Sequence, residues 1–252
     1  MALSSAERKR AKARLPKVIA REFCATGDQR RSPLGNILSP GEQTELARIA
    51  TILEYQAGGV AIFSEGEDTH FLYLLDEGVV RISCHLPDGS RQVLGFMWPG
   101  DLFGLAEEGR YVNTAESLTP ATIFRFPLER LRGLLHREPI LQLHLLTKAA
   151  HELRRAERQI IILGQLYNVK RLASFVLDCR QHIGFFDSQA RVLHLPMSRF
   201  DIADYLGTSP ESIARAFAIL EHKGFLRRIS PRSVKLLDAD HLARFVRGVP
   251  SQ

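Results

Sequence analysis

Cysteine is scarce: Cys24, Cys84 and Cys179 are the only three among 252 residues. They form no C-x-x-C pair and no disulfide framework, so a reducing cytoplasm is the expected compartment. Long apolar runs are also missing. Stretches such as Ile160 to Gly164 fall far short of the ~20 residues that span a bilayer. No apolar segment follows the basic N-terminus as a secretory signal needs, and no membrane partner is expected. His-x-His does not occur, which removes the ligand pattern of a cupin-type metalloenzyme. No Gly-rich phosphate loop follows a strand. No catalytic or metal-ligating residue is assigned, and the chain is not read as an enzyme.

Excess charge is modest, at 34 Lys+Arg against 28 Asp+Glu, but it is unevenly placed. Residues 1–22 hold seven basic and two acidic side chains, 23–165 hold 14 and 18, and 166–252 hold 13 and 8. An acidic middle joined to a basic C-terminal segment points to a polyanion met by that segment, because Lys and Arg near phosphates release counterions. The patterns divide the chain into a basic tail (1–35), a β-rich domain (36–138), a long helix (139–165) and a C-terminal module (166–252).

Ser39-Pro40 opens a short helix in which Leu46, Ile49, Ala50 and Leu53 have helical spacing. Between Tyr55 and Phe126, apolar runs such as Val60–Phe63, Phe71–Leu75, Val79–Ile82 and Val93–Phe96 alternate with glycines, as in an antiparallel jelly roll. Asp88-Gly89 marks a hairpin tip, where Gly tolerates positive φ. After Pro139 the period changes. Leu146, Ala149, Leu153, Ala156, Ile160 and Leu163 form an unbroken a/d seam of the kind that packs on a second helix, and the two alanines allow close approach, so a homodimer is expected. His144 and His151, both at the f position, read as solvated.

Tyr167 to His182 carries Leu172, Phe175, Val176 and Cys179 on one side of a helix, where Cys179 reads as packing. Val192–Leu195 follows as a short strand. Ser198 then suits the N-cap of a helix with Ile202, Ala203 and Leu206 apolar, closed by Gly207. Ser209 and Pro210 suit the N-cap and N1 of a second helix, whose buried stripe is Ile213, Phe217 and Leu220. Two short helices around a glycine turn make a helix-turn-helix, and Phe225–Ile229 with Val234–Leu237 form two strands of a wing. Glu211 and Arg215 share the outer face of the second helix. They could read the cytosine and guanine of one base pair, or form an i,i+4 ion pair on a solvated face.

The order of parts, Gly100-Asp101-Leu102-Phe103-Gly104, the run Ser198–Gly207 and the E-x-x-x-R of Glu211 to Arg215 together resemble the CRP/FNR family of bacterial transcription factors, over about residues 36–240. The resemblance implies an α+β chain: an N-terminal jelly roll of the cyclic-nucleotide-binding type, a dimerisation helix and a C-terminal winged helix-turn-helix that binds double-stranded DNA. It further implies base contacts by Glu211, Arg215 and Ser212, and backbone contacts by Ser198, Arg199, Ser209 and Arg232. The hairpin Cys84 to Gln92, with Asp88 and Arg91, resembles a loop that touches RNA polymerase in activators; a repressor would share every DNA-reading feature.

Departures from the family narrow the reading. The cyclic-AMP branch places a guanine-reading Arg where this chain has Pro210, so a TTG-type half-site of the FNR and FixK branches is expected. The family's Glu and Arg-Ser for cyclic phosphate are replaced by Leu105 and Asn113-Thr114, with only Arg110 nearby. Iron-sulfur relatives need four thiolates, whereas the tail here offers Cys24 alone and Phe124 stands about where a fourth ligand falls. Haem-binding relatives carry Cys and His where this chain has Gly104 and Ala106. His70, His85 and Cys84 read as isolated residues rather than a metal site. No cofactor is expected, and the FixK-like branch fits best.

Overall fold

The computed structural model describes residues 40–248 apart from 107 and 183. The basic tail, Cys24 and the Ser39 cap lie outside the described residues. The chain packs as two units, one running to Cys84 and resuming over Gly95–Glu152, the other made of His85–Leu94 and the chain from Leu153 onward.

The β-rich part of the chain holds two four-stranded antiparallel sheets. One runs in the order β1 (Thr51–Tyr55), β8 (Ala121–Pro127), β3 (Phe71–Glu77), β6 (Leu102–Phe103). The other runs β2 (Ala61–Phe63), β7 (Thr114–Ser117), β4 (Val80–His85), β5 (Arg91–Met97). Successive side chains of β3 point to opposite faces. Leu72 and Leu74 pack outward with Phe124 and Phe126 of β8, Leu46 of helix α1 (Pro40–Ile49) and Leu131 and Leu134 of helix α2 (Leu128–Arg137). Tyr73 and Leu75 pack inward with Phe63, Val80, Phe103 and Ile123. Because both faces are covered, Phe71–Leu75 is a continuous apolar run rather than an alternation.

Two expectations are corrected here. The helical spacing taken to reach Leu53 stops at Ile49, and Leu53 lies on β1 opposite Ile123, next to Ile52 opposite Phe124. β-Branched Thr51 and Ile52 favour extended chain, and pairing with a strand some 70 residues distant outweighs local periodicity. His144 is not solvated but 5% exposed. It lies with Leu141, Leu145 and Lys148 on the face of α3 (Pro139–Gln165) that meets the first sheet, lining a cavity of about 40 Å³. The heptad therefore has a second, inward face. On its outer face Leu146, Leu153 and Ile160 are 67%, 61% and 71% exposed, Ala149 and Ala156 are exposed too, and Leu163 is half-buried.

Between the sheets, aromatic rings occupy the centre. Phe63 stacks on Tyr111 with centroids 3.8 Å apart, and Tyr73 stacks on Phe103 at 5.4 Å. Gly104 closes this cluster at φ +87°, where a Cβ would sit 2.6 Å from the Tyr73 ring; only glycine fits both the backbone and the space.

In the second unit, helix α4 (Asn168–Cys179) packs on the helix-turn-helix and on the C-terminal helix α7 (Ala239–Arg247), which the sequence pattern did not single out. Beneath them lies a sheet in the order β11 (Leu226–Ser230), β12 (Ser233–Leu236), β10 (Val192–His194), β9 (Phe186–Asp187). Leu172, Val176 and Cys179 are buried there with Ile202, Leu206, Phe217, Leu220 and Leu242.

Burial pushes the Cys179 thiol well above its ordinary pKa, with Asp178 adding to the shift. Since the thiolate is the reactive form, in a Cys24→Ser background native protein should lose only Cys84 to a thiol reagent, with Cys179 labelled on unfolding. Equal labelling rates for both in the native state would contradict this packing.

Candidate nucleic-acid interface

Helix α5 (Arg199–Leu206) begins with a reciprocal cap. The Ser198 hydroxyl accepts from the Asp201 amide at 3.1 Å, while the Ser198 amide donates to the Asp201 carboxylate at 2.9 Å. The helix ends at Gly207, left-handed at φ 59°. Ser209 then caps helix α6 (Pro210–His222) by accepting from the Ser212 amide at 3.2 Å, and Pro210 occupies N1 where no amide is needed. The two helices pack through Ile202, Ala203 and Leu206 of the first and Ile213, Ala216, Phe217 and Leu220 of the second, all buried. Burying that stripe turns the opposite face of α6 outward, so Glu211, Ala214, Arg215 and Ala218 are exposed and Ser212 half-buried.

Glu211 and Arg215 thus stand on one face, but their hydrogen bonds lead elsewhere. The Glu211 carboxyl is held below the usual carboxylate range first by its own backbone N–H, then by the Ser209 hydroxyl, with Arg215 contributing less. Arg215 donates to the Ser212 hydroxyl at 3.2 Å, and Ser209 Oγ lies 3.2 Å from Ser212 Oγ. A chain of two serines, rather than the carboxylate, steadies the arginine.

Arg199 lies over the Phe217 ring, its guanidinium carbon 3.7 Å from the ring centroid. Burial, with the Arg228 charge added, lowers its pKa to about 10, so it stays charged at neutral pH. Its Nη1 is buried without a hydrogen-bond partner among the described residues. Arg232 is exposed at the turn between β11 and β12, its amide donating to Ser230 Oγ at 3.2 Å. On β11, Arg227 is exposed, while Arg228 donates through Nε to Glu221 at 2.7 Å.

Asp88 and Arg91, both taken from the hairpin as polymerase-facing, have different surroundings. Asp88 is exposed at the tip, accepting from the Ser90 amide at 2.9 Å and from its hydroxyl at 2.6 Å. Arg91 reaches α5. It donates to Asp204 through Nε at 2.9 Å and Nη2 at 2.6 Å, and to Asp201 through Nη2 at 2.9 Å. Nothing local in the sequence marks this contact, since Arg91 and Asp204 are 113 residues apart.

A β-sandwich of this kind followed by a winged helix-turn-helix defines a class, the DNA-binding regulators with a cyclic-nucleotide-type sensory domain. Residues 53–138 match the cyclic nucleotide-binding domain family, and residues 170–245 match the Crp-like helix-turn-helix domain. The chain is 33% identical to the transcriptional activatory protein AadR of Rhodopseudomonas palustris over 80% of its own length and 83% of the relative's. It is 32% identical to the nitrogen fixation regulation protein FixK of Bradyrhizobium diazoefficiens, over 86% of this chain and 90% of that one. The structure of FixK2 from Bradyrhizobium japonicum superposes with a TM-score of 0.71 at 29% identity, covering 81% of this chain and 98% of that one. The chain belongs to the CRP/FNR family of transcription regulators and is FixK-like within it. It is a DNA-binding regulator of a homodimeric class, and no helix among its described residues is long and apolar enough to cross a membrane.

Losing an N-cap hydroxyl costs about 1 kcal/mol. Ser198→Ala should lower stability by that amount, read as a smaller urea midpoint at unchanged slope; an unaltered midpoint would mean that the cap adds nothing.

Proposed function

We infer that the chain activates transcription from a twofold-symmetric DNA site, with α6 of each protomer in the major groove and the α3 seam from Leu146 to Leu163 joining the two. The observation that carries this reading is the exposed face of α6, where Glu211 and Arg215 project beside a basic wing. A carboxylate accepts from the cytosine amine, and a guanidinium donates twice to guanine. Ser212, bonded to Arg215, steadies the reader and faces the same groove. Ser198 and Ser209 use their hydroxyls on helix caps, so what they bring to a phosphate is the positive end of the helix each one caps. Arg199 and Arg232 add charge along the same backbone. Activation is favoured by the likeness to AadR, named as an activatory protein.

Pro210 has neither side-chain donor nor amide hydrogen, so the half-site lacks the additional arginine-read guanine of the cyclic-AMP branch and is TTG-type. The sandwich does not fit a cyclic nucleotide. Leu105 is 67% exposed where a ribose-binding acid is needed, Thr114 accepts from the Glu65 amide, and Arg110 lies on the surface 3.5 Å from Asp68. Phe63, Tyr73, Phe103 and Tyr111 fill the interior instead. Phe124, where an iron-sulfur relative has a ligand, is a core residue 1% exposed. Activity without a cofactor, in the cytoplasm, is the consistent reading, with 36–138 as the sensory-type domain and 166–252 as the DNA-reading one.

Selection from random DNA should return inverted TTG-type half-sites; recovery of TGTGA half-sites would contradict the role given to Pro210. On the selected site, Arg215→Ala should weaken binding about 10- to 100-fold and relax preference at one G·C pair, while Arg232→Ala should weaken all sequences alike and reduce the salt slope by about one. Unchanged base preference in Arg215→Ala would remove it as a reader. In transcription assays, Asp88→Ala should lower activation at unchanged DNA affinity, whereas Arg91→Ala should weaken DNA binding itself through loss of its grip on α5. Equal DNA affinity for both variants would return Arg91 to the polymerase-facing surface.

A further inference from the structure

The last four carbonyls of any α-helix lack partners within it, and at the carboxyl end of α5 each is satisfied from a different part of the chain. Ala203 O accepts from the Gly207 amide and from Thr208 N at 3.1 Å. Asp204 O accepts from Gln92 Nε2 of the hairpin. Tyr205 O accepts from Gln159 Nε2 of α3 at 3.2 Å. Leu206 O accepts from Arg171 Nη1 of α4 at 3.0 Å. Arg171 is shared, since its Nη2 donates to Leu163 O at 2.8 Å and its Nε to Leu166 O at 2.7 Å, both at the end of α3. One guanidinium therefore sits at the negative ends of two helices at once. Just beyond, Asn168 Nδ2 donates to Thr208 Oγ1 at 3.0 Å, fastening the turn between α5 and α6.

We propose that Gln92, Gln159 and Arg171 are positioning residues that fix the recognition helix on the end of the dimer helix and thereby set the spacing between the two DNA half-sites. The proposal rests on the twofold reading given above. From Leu153 on, α3 belongs to the same unit as the helix-turn-helix, and the buried interface of α5 with α6 makes those two helices move together. Tilting α5 on α3 therefore carries α6 with it, and by symmetry displaces both recognition helices. One base pair of spacing changes the offset by about 3.4 Å and the rotation by about 34–36°, a mismatch that a firmly held pair of heads rejects and a loosely held pair absorbs. None of the three residues is on the reading face, so their effect falls on spacing and not on base identity.

The test uses the intact dimer and duplexes bearing two inverted copies of the half-site selected by the wild-type protein, at the selected spacing and at spacings one and two base pairs longer or shorter. Gln159→Ala and the double variant Gln159→Ala/Arg171→Gln are compared with wild type by fluorescence anisotropy. The ratio of affinities at the selected and neighbouring spacings should fall about fivefold for each hydrogen bond lost, with discrimination among base changes inside the half-site unaltered. Affinity lost equally at every spacing, or spacing preference as sharp as in wild type, overturns the proposal while leaving the twofold reading intact. A wild-type protein indifferent to spacing overturns both. Gln159→Ala alone, which removes one half-buried side chain, decides the matter if the double variant does not fold.

Discussion

The carboxyl end of one eight-residue helix is where the DNA-reading module is held. The terminal carbonyls of α5 accept from the hairpin, the long helix α3 and α4, and its Asp201 and Asp204 accept from Arg91. A carbonyl left without a partner where water cannot replace it costs about 1–3 kcal/mol, and these carbonyls are part-buried. The chain therefore has a strong reason to keep Gln92, Gln159 and Arg171 where they are. The exposed face of α6 inherits its direction from that arrangement, because α6 packs on α5 through a wholly apolar stripe with little freedom to slide.

The sandwich is held together by its own interior. Here Phe63, Tyr73, Phe103 and Tyr111 stack in the middle, and Gly104 exists to let the Tyr73 ring pass. Stacked rings at these separations contribute beyond the area they bury, so the interior is stabilised by the chain's own side chains.

Much of this was legible in the residues. Strand-and-glycine rhythm announced the jelly roll, the 3–4 spacing announced α3, and Ser198, Gly207, Ser209 and Pro210 marked the helix-turn-helix within a residue, because caps and turns are local chemistry. Other features stayed hidden. Helix α2 follows Pro127 with no side-chain cap, Leu53 belongs to a strand paired far along the chain, and His144 faces inward because the first sheet lies under α3. Arg91 looked like a surface charge on a hairpin, and its partners could not be guessed from any neighbouring residue.

What the sequence by itself determined is the kind of protein: the long helix and the helix-turn-helix, which of their faces are apolar, which side chains are left to project from α6, and the proline that opens it. These follow from backbone preferences and periodicity, which act over a few residues. Only the tertiary structure decided that His144 faces inward, that Arg91 grips α5, and that one arginine ties the ends of two helices together. Those contacts depend on distances between groups that the chain brings together only after folding, and no local pattern encodes them.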